Sequence, residues 1–182
     1  MLLSSNMNTT FKISIIFFYI ISNTSFAICF AQNTKPINGV ERAKPSEKST
    51  DIYIYDYEKI FTNEEKETLS EIIAKYKEHT KKEILVATTH SIGDFYDIQE
   101  YAANLGSIYS NEVKNENVVT IVISKKLKEI AIATSPIARE TLTDKINTDI
   151  INNVIIPKIK EGYFFDGIKQ GICDIIKILS KG

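Results

Sequence analysis

The hydrophobic pattern of the chain is most decisive between Val118 and Thr134. Val118-Val119-Thr120-Ile121-Val122-Ile123-Ser124 is a β-branched run, too short for a helix and too continuous for a strand with one wet face. It predicts a strand buried on both sides. Lys125-Lys126-Leu127-Lys128 interrupts the run, and Glu129-Ile130-Ala131-Ile132-Ala133-Thr134 resumes it. So short a polar break admits only an antiparallel return, which puts a β-hairpin at the middle of a sheet. Ile52-Tyr53-Ile54-Tyr55 reads as a further short strand ending at Asp56, and Ile84-Leu85-Val86-Ala87-Thr88-Thr89 as an interior one.

Elsewhere the apolar period is helical. Thr62-Asn63-Glu64-Glu65 has the form of a capping box, and Leu69, Ile72, Ile73 and Tyr76 make one stripe that predicts a helix to Glu78. Asp97 and Glu100 resemble a cap before Ile98, Tyr101, Ala102 and Leu105, and a charged loop follows from Asn111 to Asn117. After a turn at Thr134-Ser135-Pro136, Thr141 or Thr143 can cap a helix bearing Leu142, Ile146, Ile150 and Val154, which Pro157 should stop. Phe164, Ile168, Ile172, Ile176 and Leu179 mark a last helix lying on the sheet. The expected fold class is α/β: an α/β/α sandwich with a mixed sheet of about four strands containing a central β-hairpin. Helical crossovers make the first three strands parallel, so Asp56 and His90 fall at one end of the sheet and Asn117 and Ser135 at the other.

The N-terminal pattern is different. Lys12 precedes a short apolar core, Ile13 to Ile21, then polar Ser22 to Ser25 and small residues that suit cleavage after Ala27 or, preferably, Ala31. Met7 is an alternative start. This predicts a signal peptide over 1–31, a flexible Pro- and Lys-containing linker over 32–50, and a folded domain over 51–182. The protein is then exported, periplasmic or secreted, with no transmembrane span in the mature chain. The alternative is membrane tethering by an uncleaved signal, against which the apolar run falls short of the roughly 20 residues a bilayer requires. Bulky Ile28 before Cys29 argues against lipid modification there. Cys173 would be the single cysteine left, without a disulfide partner and expected as a buried, inert thiol.

Composition narrows the rest. With 182 residues, 43% of them apolar, the chain can build one cored domain. A net charge of −1 with both signs interspersed gives no footprint for nucleic acid. No Gly-rich phosphate loop, paired-Cys motif or internal repeat is present. Asp56, Asp94, Asp97 and Asp144 are the carboxylates available to a hard cation such as Ca²⁺ or Mg²⁺, although each also suits a helix cap, a turn or a first helical turn. His79 and His90 lack a second ligand at metal spacing. His90, beside Ser91 at a strand's carboxyl end, is the better placed, because open α/β sheets bind ligands there.

The order of elements, with Leu142-Thr143-Asp144 and the segment Ile155-Ile156-Pro157-Lys158-Ile159-Lys160-Glu161-Gly162-Tyr163-Phe164-Phe165-Asp166-Gly167, resembles the TPM-domain family over roughly Asp51 to Leu179. Tyr55-Asp56 is similar to that family's Val-x-Asp, and Thr62 falls at its first helix cap. The resemblance implies an α/β sandwich on the export side of a membrane, with phosphatase-like or calcium-binding activity in some members, and makes Asp56 the leading inherited site residue. The chain departs from the family where Asn-Gly-Val becomes Glu116-Asn117-Val118, Gly-Tyr-Gly becomes Ser135-Pro136-Ile137 and Trp-Gly becomes Tyr109-Ser110. Glycines let backbone N–H groups approach an anion closely, and Pro136 removes a donor, so these changes weigh against catalysis. The expectation is a binding or accessory module with envelope or membrane proteins as partners. The alternative is a metal-assisted acid phosphatase using Asp56 as metal ligand or nucleophile, with Asp144 as helper and His90 as a further catalytic candidate.

Overall fold

A computed structural model describes residues 53–181. The signal peptide (1–31) and linker (32–50) expected from the sequence lie outside the described residues.

The apolar runs form four strands: β1 (Ile54–Asp56), β2 (Glu83–Thr88), β3 (Val118–Ser124) and β4 (Glu129–Thr134). They pair in the order β1-β2-β3-β4, the first two pairings parallel and the third antiparallel. Both β2 and β3 are buried at every position, as continuous β-branched runs require. The hairpin forms, but only β3 is interior; β4 is an edge strand, and the Ile132 carbonyl accepts from Gln99 and Asn147 side-chain amides at 3.3 and 3.4 Å. Side-chain donors of this kind blunt an edge that would otherwise seek another strand.

Helices cover both faces. One face carries Ile54, Ile84, Val86, Val119, Ile121, Ile123 and Ile132. It packs on Leu69, Ile73 and Tyr76 of α1 (Asn63–Thr80) and on the C-terminal helices. The other face carries the smaller Ala87, Val122, Ala131 and Ala133 beneath α2 (Ile98–Val113) and Phe95. Alanines on both sides let one helix lie close to the sheet. The capping box of α1 is complete, with Thr62 accepting from Glu65 N–H and Glu65 accepting from Thr62 N–H, and Asp97 caps α2. Both helices outrun the sequence expectation: α1 ends at Thr80 and α2 at Val113, each capped by a lysine, Lys81 or Lys114, in a left-handed conformation.

The C-terminal half differs from the pattern reading in three places. Ser135-Pro136 does not simply turn the chain; Ser135 caps a short helix, α3 (Pro136–Arg139), with Pro136 at its first turn, where its missing N–H costs nothing. Pro157 does not stop the next helix. α4 (Asp144–Ile150) passes through a π-helical segment, Ile151–Ile155, into α5 (Ile156–Lys160). In the wider turn Ile156 N–H bonds the Ile151 carbonyl, and the helix thereby passes a proline that has no N–H to donate. Gly162, at φ +92°, ends the helix instead. Finally, Cys173 is exposed, not buried. The buried line of α6 (Phe164–Leu179) runs through Ile168, Gly171, Ile172, Ile175 and Leu179, and Cys173 lies one residue, about 100° of helix, off it. Among the described residues no helix is long and apolar enough to cross a membrane.

Candidate functional site

Parallel β1, β2 and β3 bring the loops that follow them to one end of the sheet. Asp56, the last residue of β1, is engaged there by its own chain. Its Oδ1 accepts from Ile60 N–H at 3.1 Å and from the Thr88 hydroxyl at 2.7 Å, and its Oδ2 accepts from Phe61 N–H at 3.0 Å. The carboxylate thus shapes the loop that leads into α1 and ties it to β2. Thr88, fully buried, also accepts from Glu58 N–H at 2.8 Å.

Two residues further on, Glu58 does the same for the hairpin. Its side chain is only 4% exposed; its oxygens accept from Lys125 N–H at 2.7 Å and Lys126 N–H at 3.1 Å, and one lies 3.5 Å from His90 Nδ1. His90 is therefore oriented by Glu58, not by Asp56, and it forms an ion pair only when protonated. Sequence reasoning passed over Glu58 because nothing in its spacing distinguishes it from a solvated loop residue.

Asp144 lies elsewhere. It is 75% exposed in the first turn of α4 and pairs with Arg139 Nε at 3.4 Å, while the same nitrogen reaches Thr134 Oγ1 at 3.4 Å. Thr134 is registered with Val119 at the amino end of β3, so Asp144 and Asp56 belong to opposite ends of the sheet. Asp97 is occupied as the α2 cap, Asp94 is exposed, and His79 sits in the last turn of α1 against the Lys75 carbonyl at 2.6 Å. Among the described residues no three His, Cys, Asp or Glu side chains converge as a cation would need.

The amino end of β3 holds a cleft of ≈ 380 Å³ between α2, β4 and α3. Ser107, Ser110, Thr120, Thr134 and Ser135 line it with hydroxyls, and Glu116 contributes its single carboxylate. The Ser135 hydroxyl accepts from Val118 N–H at 3.1 Å and Ser135 N–H donates to the Val118 carbonyl at 2.9 Å, clasping the two chain segments together. Gly106 is required on the opposite wall, since a Cβ there would run into Thr120 Oγ1.

A buried carboxylate supports that wall. Glu83, 2% exposed, accepts from the Tyr109 hydroxyl at 2.6 Å and Asn115 Nδ2 at 3.2 Å and pairs with Lys77 Nζ at 3.1 Å. Burial, and then the Glu83 charge, push the Tyr109 phenol far above its ordinary value. For Lys77 burial acts downward, but the bond to Glu83, its charge and Tyr53 together outweigh it and the ammonium is held raised. This network joins α1, α2 and the loop before β3. Its members are far apart in sequence, which is why the pattern did not reveal it.

Residues 54–178 match the TPM domain family. The fold is similar to the solution structure of the N-terminal domain of a protein from P. gingivalis, at 22% identity and TM-score 0.64, covering 74% of this chain and 85% of that one. It is also similar to the BA42 protein of the psychrophilic bacterium Bizionia argentinensis, at 22% identity and TM-score 0.56 over 69% and 85% of the two chains. The N-terminal domain of the cg2496 protein of Corynebacterium glutamicum aligns at 16% identity and TM-score 0.51, over 76% and 84%. No curated protein matches the sequence.

Proposed function

Because this chain belongs to the TPM-domain family, we propose that it serves as an exported binding or accessory module of the cell envelope, tethered through residues 32–50 and engaging a partner protein at the cleft beside β3. The observation that carries this reading is the state of Asp56. The residue that a metal-assisted phosphatase would need as ligand or nucleophile has both oxygens committed to three donors of its own chain. Its proposed helper, Asp144, is paired with Arg139 at the other end of the sheet. The cleft offers hydroxyls and apolar rim atoms, with Ile137 46% exposed at its edge, which suits recognition better than proton transfer.

Photo-crosslinking tests the proposal. A crosslinking residue at Ser107, inside the cleft, should capture a reproducible envelope protein in cells, whereas one at exposed Lys75 on α1 should not. Equal capture at both positions, or none at Ser107, overturns the cleft as the binding site. Phosphomonoester hydrolysis by the purified chain that requires Ca²⁺ or Mg²⁺ and disappears in a folded Asp56→Asn variant would establish the enzymatic reading instead.

A further inference from the structure

The corner where the β3–β4 turn meets α5 and α6, at the sheet end away from the cleft, combines positive charge with exposed apolar side chains. Lys125, Lys126 and Lys128 are exposed on the turn, and Lys158 and Lys160 on α5. Lys125 Nζ sits 5.5 Å from the centre of the Phe164 ring, which joins turn and helix in one surface, and within α6 Lys169 Nζ lies 4.9 Å from that of Phe165. Among the described residues, Lys126, Lys128, Lys158 and Lys160 have no carboxylate partner. The same segments hold Glu129, Glu161, Asp166 and Asp174 in opposition, with the Glu58 carboxylate beneath the turn, in a chain whose net charge is −1. Leu127, 39% exposed, and Tyr163, 56% exposed, stand among these lysines.

The surface is also preformed. Glu58 holds the turn by its Lys125 and Lys126 amides, and Ser124 Oγ accepts from Leu127 N–H at 3.1 Å, so little backbone ordering remains to be done on binding. Lysines around an amphipathic aromatic and a leucine are the chemistry of a bilayer interface: ammonium groups meet lipid phosphates while the rings reach the acyl boundary. We propose that this corner docks on an anionic lipid surface, leaving the cleft at the opposite end turned away from the membrane. Docking at this corner is independent of what the cleft binds.

Vesicle flotation of the full chain tests it, comparing phosphatidylglycerol-containing with pure phosphatidylcholine vesicles. The N-terminal apolar segment is common to every variant, so differences between variants report the corner alone. Binding should favour the anionic vesicles and weaken with added salt. Lys126→Gln/Lys128→Gln/Lys160→Gln should lower affinity on the order of a hundredfold, and Tyr163→Ser should lower it further, with unchanged thermal unfolding. Lys75→Gln/Lys114→Gln/Lys145→Gln, an equal loss of charge elsewhere, should bind as the unaltered chain does. Equal weakening by both triple substitutions, or none by the first, overturns the proposal. So does a corner that leaves vesicle binding unchanged but loses an acidic polypeptide such as polyglutamate.

Discussion

Replacing Asp56 separates a structural from a catalytic role more sharply than any other change. In Asp56→Ala, Ile60 N–H, Phe61 N–H and the Thr88 hydroxyl lose their common acceptor, at 3.1, 3.0 and 2.7 Å. Hydrogen bonds to a charged group contribute ~1.5–3 kcal/mol each when nothing replaces them. Here the carboxylate is half-buried and partly screened by solvent, so ~1 kcal/mol per bond is the better figure, about 3 kcal/mol in all. Asp56→Asn keeps one accepting oxygen but turns an NH₂ group towards a donor, and should cost ~1 kcal/mol. Thr88→Val removes one of the same bonds and orphans Glu58 N–H. Combined with Asp56→Ala it should therefore be less than additive by ~1 kcal/mol. Urea unfolding measures all four free energies, and hydrogen exchange at Ile60 and Phe61 should accelerate in both Asp56 variants. An Asp56→Ala protein as stable as the unaltered one, within ~0.5 kcal/mol, would refute the assignment of Asp56 as the organiser of this loop.

Two further substitutions probe the cleft and its support. Gly106→Ala forces Thr120 to move and should destabilise the fold by ~1–3 kcal/mol in thermal unfolding, with stability largely restored by adding Thr120→Ala; destabilisation that persists in the double variant would contradict the contact. Tyr109 has a raised pKa in the fold, so its neutral form is stabilised there relative to the unfolded chain. That contribution is complete below the ordinary value of 10.0 and is lost as pH rises through the folded pKa. Stability measured from pH 9 to 11.5 should thus fall more steeply for the unaltered chain than for Tyr109→Phe, which should itself cost ~1–2 kcal/mol at neutral pH; parallel curves would show that the Tyr109–Glu83 bond does not set the alkaline limit.

What could be read in the sequence follows from how local each cause is. The buried run at Val118–Ser124, the capping box at Thr62 and the Asp97 cap depend on neighbours a few residues away, and all three hold. Pro157 misled because a helix can accommodate a proline by widening one turn, an option visible only once Ile151 and Ile156 are seen to bond. Cys173 misled because it sits in an apolar helical pattern; with Ile172 and Ile175 both on the buried line, the intervening cysteine points outward beside Asp174. Glu58 and Glu83 were illegible for another reason. Their partners, Lys125 and Lys126 for the first and Tyr109 for the second, lie far along the chain, and no period connects them.

The strand directions then explain why the candidate carboxylates do not assemble. Loops after β1 and β2 open at the carboxyl end of the parallel strands, which fixes Asp56, Glu58 and His90 together. β4 runs antiparallel and returns the chain to the amino end, so Ser135, Arg139 and Asp144 follow there. Bringing Asp56 and Asp144 into one centre would require reversing β4, and with it the register that buries Ile132 on one face and Ala131 and Ala133 on the other. Within this fold the two ends are chemically separate surfaces. A lysine-rich end held by Glu58 and a hydroxyl-lined end supported by Glu83 are consequences of the same sheet topology, and each can change without dismantling the other.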